Sequence, residues 1–189
     1  VIALHNSGDT ETRDILNQYP IDLVYTVLDG LWTIGRASSE LFKITSTERR
    51  SFTLHLQDDW ECQDRNSQWW TDAMQLLDTD PVIGQVRLRL TREQTMINSL
   101  DVDGKKVSWS DFKGHRLSRR AAWTLNPFIM RTHELPTSIK DERDGMVQFS
   151  KKRQSVAQLV PGVFKHIGDK GESLKARAEK ERRYGLHHP

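Results

Sequence analysis

The spacing of apolar residues constrains this chain more than any motif does. Phe52, Leu54 and Leu56 alternate with polar neighbours, and Val86, Leu88 and Leu90 alternate with Arg87 and Arg89. Successive side chains of a strand point to opposite faces, so each run reads as a strand with one face on a core. The second run would carry a basic outer face. Phe42 and Ile44 alternate in the same way, and the polar stretch 46–50 (STERR) between them and Phe52 reads as the loop of a hairpin.

A further hairpin is expected around Asp101-Val102-Asp103-Gly104-Lys105-Lys106. The stretch begins like a calcium loop. Counted from Asp101, however, position 5 is Lys105, position 6 is Lys106 and position 12 is Phe112, where a cation needs oxygen ligands, a glycine and a glutamate. With Asp103 and Gly104 as turn residues instead, Val102 faces Lys105 and Leu100 faces Val107. Leu100, Val102, Val107 and Trp109 then share the buried face.

Other segments read less sharply. Residues 1–13 look like an extended lead-in. Residues 21–28 are rich in β-branched side chains and precede Asp29-Gly30, which suits a strand turning into 31–34. A helix running from Pro20 to Gly30 is the rival reading. Asn66 or Ser67 can cap a helix reaching Leu77, with Trp69, Ala73 and Leu77 on one side. Helices are also expected over 115–125 (HRLSRRAAWTL) and 150–160, the latter capped by Ser150. A last one is expected over 172–185, with Gly185 as its stop.

Length and composition narrow the class. A chain of 189 residues can bury a real core, and six Trp with six Phe speak against wholesale disorder, although charged residues reach 29%. Cys62 is the only cysteine, so no internal disulfide holds the fold. No apolar run is long enough to span a membrane. A start at Val1 fits a chain trimmed of a targeting peptide or excised from a longer one. Charge is unevenly spread. Residues 1–81 hold six Lys and Arg against fourteen Asp and Glu, a net of −8, and residues 82–189 hold +10. That split suits either a basic face toward a polyanion or acidic protein, or two halves that attract each other.

The basic half holds the main binding candidates. Between Gly104 and His133 there are seven Lys and Arg against one acid, Asp111. Lys105 and Lys106 lie at the hairpin. Arg116, Arg119 and Arg120 would project together from the helix at 115–125, with Trp123 beside them for stacking on an unpaired base. Lys151, Lys152 and Arg153 follow, then Arg177, Arg182 and Arg183 in the last helix.

Enzyme signals are thinner. Nucleotide-loop and nucleophile-elbow motifs are missing, and the histidines lack zinc spacing. Cys62 sits beside Asp58, Asp59 and Glu61, where a thiolate is disfavoured. His55 holds an alternating strand position and reads as a surface partner of a neighbouring strand. The acidic residues Asp58, Asp59, Glu61 and Asp64 suit a solvated loop or, with His55 as base, the metal site of a nuclease-like hydrolase.

The expectation is therefore an α+β fold. An arm over 1–20 precedes a mainly antiparallel sheet with a Trp-rich helix over 21–112, and a basic, mainly helical extension covers 113–189. The expected role is a non-enzymatic subunit of a large assembly whose basic half meets RNA or acidic proteins, such as a ribonucleoprotein of an organellar ribosome. A viral or phage structural protein and the nuclease-like hydrolase are the alternatives. No cofactor and no bound metal are expected in the leading reading. The expected location is a reducing intracellular compartment, a mitochondrial matrix being one case, or a virion.

Overall fold

The computed structural model describes residues 2–5, 10–26, 32–57, 60–64, 66–90, 101, 103, 105–119, 121, 123–136, 138–152 and 154–167. Helices pack with a mixed sheet, so the fold is α+β. In chain order the elements are β1 (Ile2–His5), α1 (Thr10–Leu16), β2 (Leu23–Thr26), α2 (Ile34–Thr47), β3 (Phe52–His55), β4 (Trp60–Cys62) and α3 (Gln68–Thr79). Then come β5 (Ile83–Arg87), β6 (Ser110–Phe112), β7 (His115–Ser118), β8 (Phe128–Arg131), α4 (Glu142–Lys151), β9 (Ser155–Gln158) and β10 (Phe164–His166). A single 3-10 turn, Thr132–Glu134, follows β8.

Six strands form the main sheet in the order β3-β8-β5-β9-β7-β6. Every neighbouring pair is antiparallel except β5 and β9, which run parallel with Val86 beside Ala157. The strands β1 and β2 pair separately, in parallel. A short antiparallel ladder joins β4 to β10.

Both faces of the main sheet are covered. On one, Phe128, Met130 and Val156 pack with Phe42 of α2, Phe149 of α4 and Trp123. On the other, Ile129, Val86 and Ala157 pack with Ala73, Leu76 and Leu77 of α3. Strands buried on two faces lose their polar alternation. Phe128, Ile129 and Met130 are accordingly all buried, as is every residue of β9.

That burial overturns several expectations. Residues 115–118 and 155–158 are strands, not helices, and both lie in the main sheet. The boundary after residue 112 falls inside the β6–β7 hairpin, so 113–167 supplies sheet strands rather than a helical extension. Ser150 does not open a helix. It sits in the last turn of α4, and its hydroxyl donates to the Val147 carbonyl. Phe42 and Ile44 belong to α2, whose N-cap Thr33 accepts from the Arg36 N–H at 3.3 Å. Ile34 opens that helix and so cannot close a hairpin with residues 21–28.

Other elements follow the sequence closely. Residues 23–26 and 52–55 are strands. In α3 the Ser67 side chain makes no cap bond, and the Asn66 carboxamide oxygen accepts from the Gln68 N–H instead. The far end of α3 is closed by Arg131. Its guanidinium donates to the Leu77 and Asp80 carbonyls, to the Ile83 carbonyl at 2.9 Å and to the Glu134 carboxylate at 3.1 Å. A cation at a helix C-terminus satisfies carbonyls that the helix itself leaves open.

The turn near residue 103 is also real but wider than the spacing suggests. The Asp101 N–H donates to the Lys105 carbonyl, so Asp101 rather than Val102 stands opposite Lys105. The Asp101 carboxylate accepts from the N–H groups of Asp103 and Lys105 at 2.9 and 2.8 Å. Val107 is buried and Trp109 half-buried, as expected, and Leu100, Val102 and Gly104 lie outside the described residues. The tightest hairpin is instead β6–β7. Its turn residues Lys113 and Gly114 have φ of 53° and 81°, the positive values such a turn requires.

Candidate functional site

The order strand, helix, strand, helix, strand runs over residues 2–55, and β1 and β2 are parallel. Ile2 of β1 shares a cavity of about 490 Å³ with Phe42 of α2, residues 52–56 and Trp70 of α3, so β1 lies near the open edge of β3. Acidic residues follow each of these three strands in the chain. Asp9 comes four residues after β1, Asp29 three after β2, and Asp58 and Asp59 three and four after β3. All four lie outside the described residues, as does Arg65.

The chain returns at β4, directly after Asp59. Trp60 opens this strand and stands opposite His166 of β10, with ring centroids 4.8 Å apart. The Arg89 guanidinium lies over the Trp60 ring at 5.5 Å, and the Trp60 Nε1–H reaches the Gln57 side chain at 3.4 Å. Glu61 pairs with Lys165 in the same ladder. The Cys62 thiol is exposed and donates to the Asp64 carbonyl at 3.1 Å.

His55 is not a surface residue. It is 5% exposed, and its ring stacks on Phe128 at 5.1 Å and meets Phe42 edge-on at 5.3 Å. Neither ring nitrogen has a hydrogen-bond partner among the described residues. Burial pushes the imidazole down to about 4, because a cation in an apolar pocket loses its hydration. The ring is neutral at pH 7 and packed between Phe42 and Phe128, so the expected surface position is not the one it takes.

Trp123 is fully buried, with its indole N–H on the Met130 sulfur at 3.4 Å, so it cannot stack on a base. Arg116 sits on β7 and pairs with Asp111 across the hairpin at 2.6 Å. Arg119 is exposed just beyond that strand. The common helical face expected for these arginines does not exist, since 115–118 is extended. Lys105 and Lys106 are exposed beside their turn. Lys151 is exposed at the end of α4, and the exposed Lys152 donates to the Glu134 carbonyl at 3.2 Å. Arg120, Arg153, Arg177, Arg182 and Arg183 lie outside the described residues.

Sequence reasoning missed two groups. Arg87 was expected on an outer face, but its guanidinium is buried. Burial lowers it to about 10 against the pull of Glu142, and it lies over Trp109 at 5.8 Å. Glu142 in turn accepts from the Thr124 hydroxyl and the Leu125 N–H at 2.8 and 2.9 Å. The second group is Trp60, Arg89 and His166, which are far apart in sequence and meet through the β4–β10 ladder and the bridge between Arg89 and Phe164. The one signal for it was the position of Trp60 next to the acidic pair.

No protein-family model matches the chain, and no curated protein matches its sequence. No helix among the described residues is long and apolar enough to cross a membrane. The described residues contain no group of three or more His, Cys, Asp and Glu side chains able to hold a metal ion.

Proposed function

We propose that this chain is a divalent-cation-dependent enzyme that binds a nucleotide beyond the carboxyl ends of β1, β2 and β3 and acts at its phosphates. The observation that carries this reading is the parallel β1–β2 pair, within a strand-helix alternation whose three strands each lead into acidic residues. Open α/β units bind ligands in the crevice outside the carboxyl ends of their strands. Adjacent carboxylates are hard oxygen donors, and Mg²⁺ commonly takes one or two of them together with substrate phosphates. Asp58 and Asp59 would hold the cation, with the His166 imidazole across the β4–β10 ladder from the next residue, Trp60. Such a cation would neutralise charge developing on a phosphate oxygen. Calorimetry with Mn²⁺ and nucleotides tests the reading. Asp59→Asn is expected to weaken cation-dependent nucleotide binding at least about tenfold, the scale of a charge-assisted contact. Unchanged binding would remove it.

A second reading keeps the assembly subunit, with the basic half on RNA or on acidic protein surfaces and the helix read over 172–185 as its arm. It is favoured by the exposure of Lys105, Lys106, Arg119, Lys151 and Lys152. An organellar ribosome is the kind of particle it would join. Changing Lys105, Lys106 and Arg119 to Glu is then expected to weaken RNA binding and to flatten its dependence on salt, by roughly one unit of log–log slope per lost phosphate contact. Equal slopes for parent and variant count against it.

A further inference from the structure

The cavity beside β3 falls within the range of about 300–1,000 Å³ that small-molecule sites occupy. It measures about 490 Å³, and α2, β3 and α3 wall it with Leu41, Phe42, Phe52, Leu54 and Trp70. No charged side chain occurs among the described residues that line it. An ion there would lose its hydration without gaining a counter-charge, so the walls select a neutral molecule. Three of the five wall residues are aromatic, and ring-to-ring contact adds to the gain from burying apolar surface.

The polar groups of the lining narrow the ligand further. The Thr45 hydroxyl donates to the Leu41 carbonyl at 2.7 Å, within its own helix, and the Thr53 and Thr132 hydroxyls meet at 2.9 Å. His55 also lines the cavity, yet neither ring nitrogen has a hydrogen-bond partner among the described residues. Both nitrogens are sealed from solvent, and only ring contacts with Phe42 and Phe128 hold the imidazole. A neutral imidazole has one N–H to give and one lone pair to share. Leaving both unmet in an apolar setting costs free energy. A ligand hydroxyl recovers part of that cost once a turn of the ring brings a nitrogen to the cavity, and the turn breaks no hydrogen bond. Because a hydroxyl both donates and accepts, it serves either nitrogen.

We propose that this cavity binds a neutral aromatic molecule carrying a hydroxyl, with its rings among the apolar walls and its hydroxyl on the His55 imidazole. The site shares no residue with the enzyme reading and stands or falls without it. Its rival is a void that takes no ligand.

The test is calorimetry at pH 7 with 2-naphthol and naphthalene, which differ by the hydroxyl alone, on the parent chain, His55→Phe and Thr45→Phe. Thermal unfolding of each variant is recorded alongside. His55→Phe keeps the aromatic packing and is expected to weaken 2-naphthol binding about threefold or more, the scale of one neutral hydrogen bond, while naphthalene binding stays unchanged. Thr45→Phe puts a ring into the cavity at the cost of one bond within α2, and should abolish binding of both compounds. A reading that needs no variant is the nitrogen NMR shift of the His55 ring in the parent, which should move much further with 2-naphthol than with naphthalene. A parent that does not bind 2-naphthol overturns the proposal. So does binding that Thr45→Phe leaves intact in a folded chain, since the ligand would then sit elsewhere. Equal losses of the two compounds in His55→Phe, or a His55 ring unmoved at saturating 2-naphthol, would overturn it as well.

Discussion

Trp123→Ala is expected to destabilise the chain by about 3–5 kcal/mol, the usual cost of deleting a large buried aromatic and leaving a cavity. The ring has no exposed surface, lies 6.0 Å from Phe128 and packs among Phe42, Met130 and Phe149. Its loss would also strand a polar contact to the Met130 sulfur. Urea unfolding measures the effect. Any drop in polyanion binding should follow the fraction unfolded and vanish where the variant is fully folded. A variant as stable as its parent that had lost RNA binding would return Trp123 to the surface role read from the sequence.

The second large effect is acid sensitivity from His55. An ordinary histidine titrates near 6.5, and burial holds this one near 4 in the folded chain. Between those values the unfolded chain binds a proton that the folded chain refuses, so stability rises with pH across this window. The contribution is complete above about pH 6.5, falls as pH drops toward 4, and levels off below. At about 1.4 kcal/mol per unit it amounts to roughly 3 kcal/mol. His55→Phe should remove this slope while keeping the aromatic stack, so the difference between variant and parent must widen from pH 7 to pH 4. Parallel stability profiles would show that the ring is not buried in its neutral form.

Much of the architecture could be read from spacing, and its failures have a common cause. Residues 52–55 form an edge strand of the main sheet, and the apolar-polar alternation of their sequence made the strand legible, although His55 rather than Phe52 or Leu54 is its buried residue. Residues 128–131 and 155–158 run through the middle of a sheet covered on both faces, and their apolar runs carry no period that separates strand from helix. The strand 115–118 was hidden for another reason. Its hairpin puts Lys113, a residue with little liking for positive φ, where Asn or Asp would have announced the turn. Helix α2 was mistaken for a strand because Phe42 and Ile44 are two apart. Its deeply buried positions, Ser38, Ser39 and Phe42, are mostly small and polar. The Ser39 hydroxyl accepts from the Ile139 N–H and donates to its carbonyl, a satisfaction visible only once residues a hundred positions apart have met.

The candidate site divides in the same way. The acidic pair was visible as sequence, whereas His166 became a neighbour of Trp60 through the ladder between residues 60–62 and 164–166, and Arg89 through its bridge to Phe164. The basic half misled because exposure was assigned by residue type. Arg87 and Arg131 are occupied inside the fold, one by burial near Glu142 and the other by the carbonyls ending α3.

The parallel pairing of β5 with β9 has a consequence for how the chain is made. β5 ends at Arg87, yet one of its two edges is covered only by residues 155–158, and β7 also reaches the sheet through β9. While a ribosome builds the intervening residues, an apolar central strand waits with an open edge. Long sequence separation slows such pairing, and unpaired strands invite contact with other chains. Residues 155–158, made long after β5, therefore decide whether the centre of the sheet closes on itself or on a neighbour.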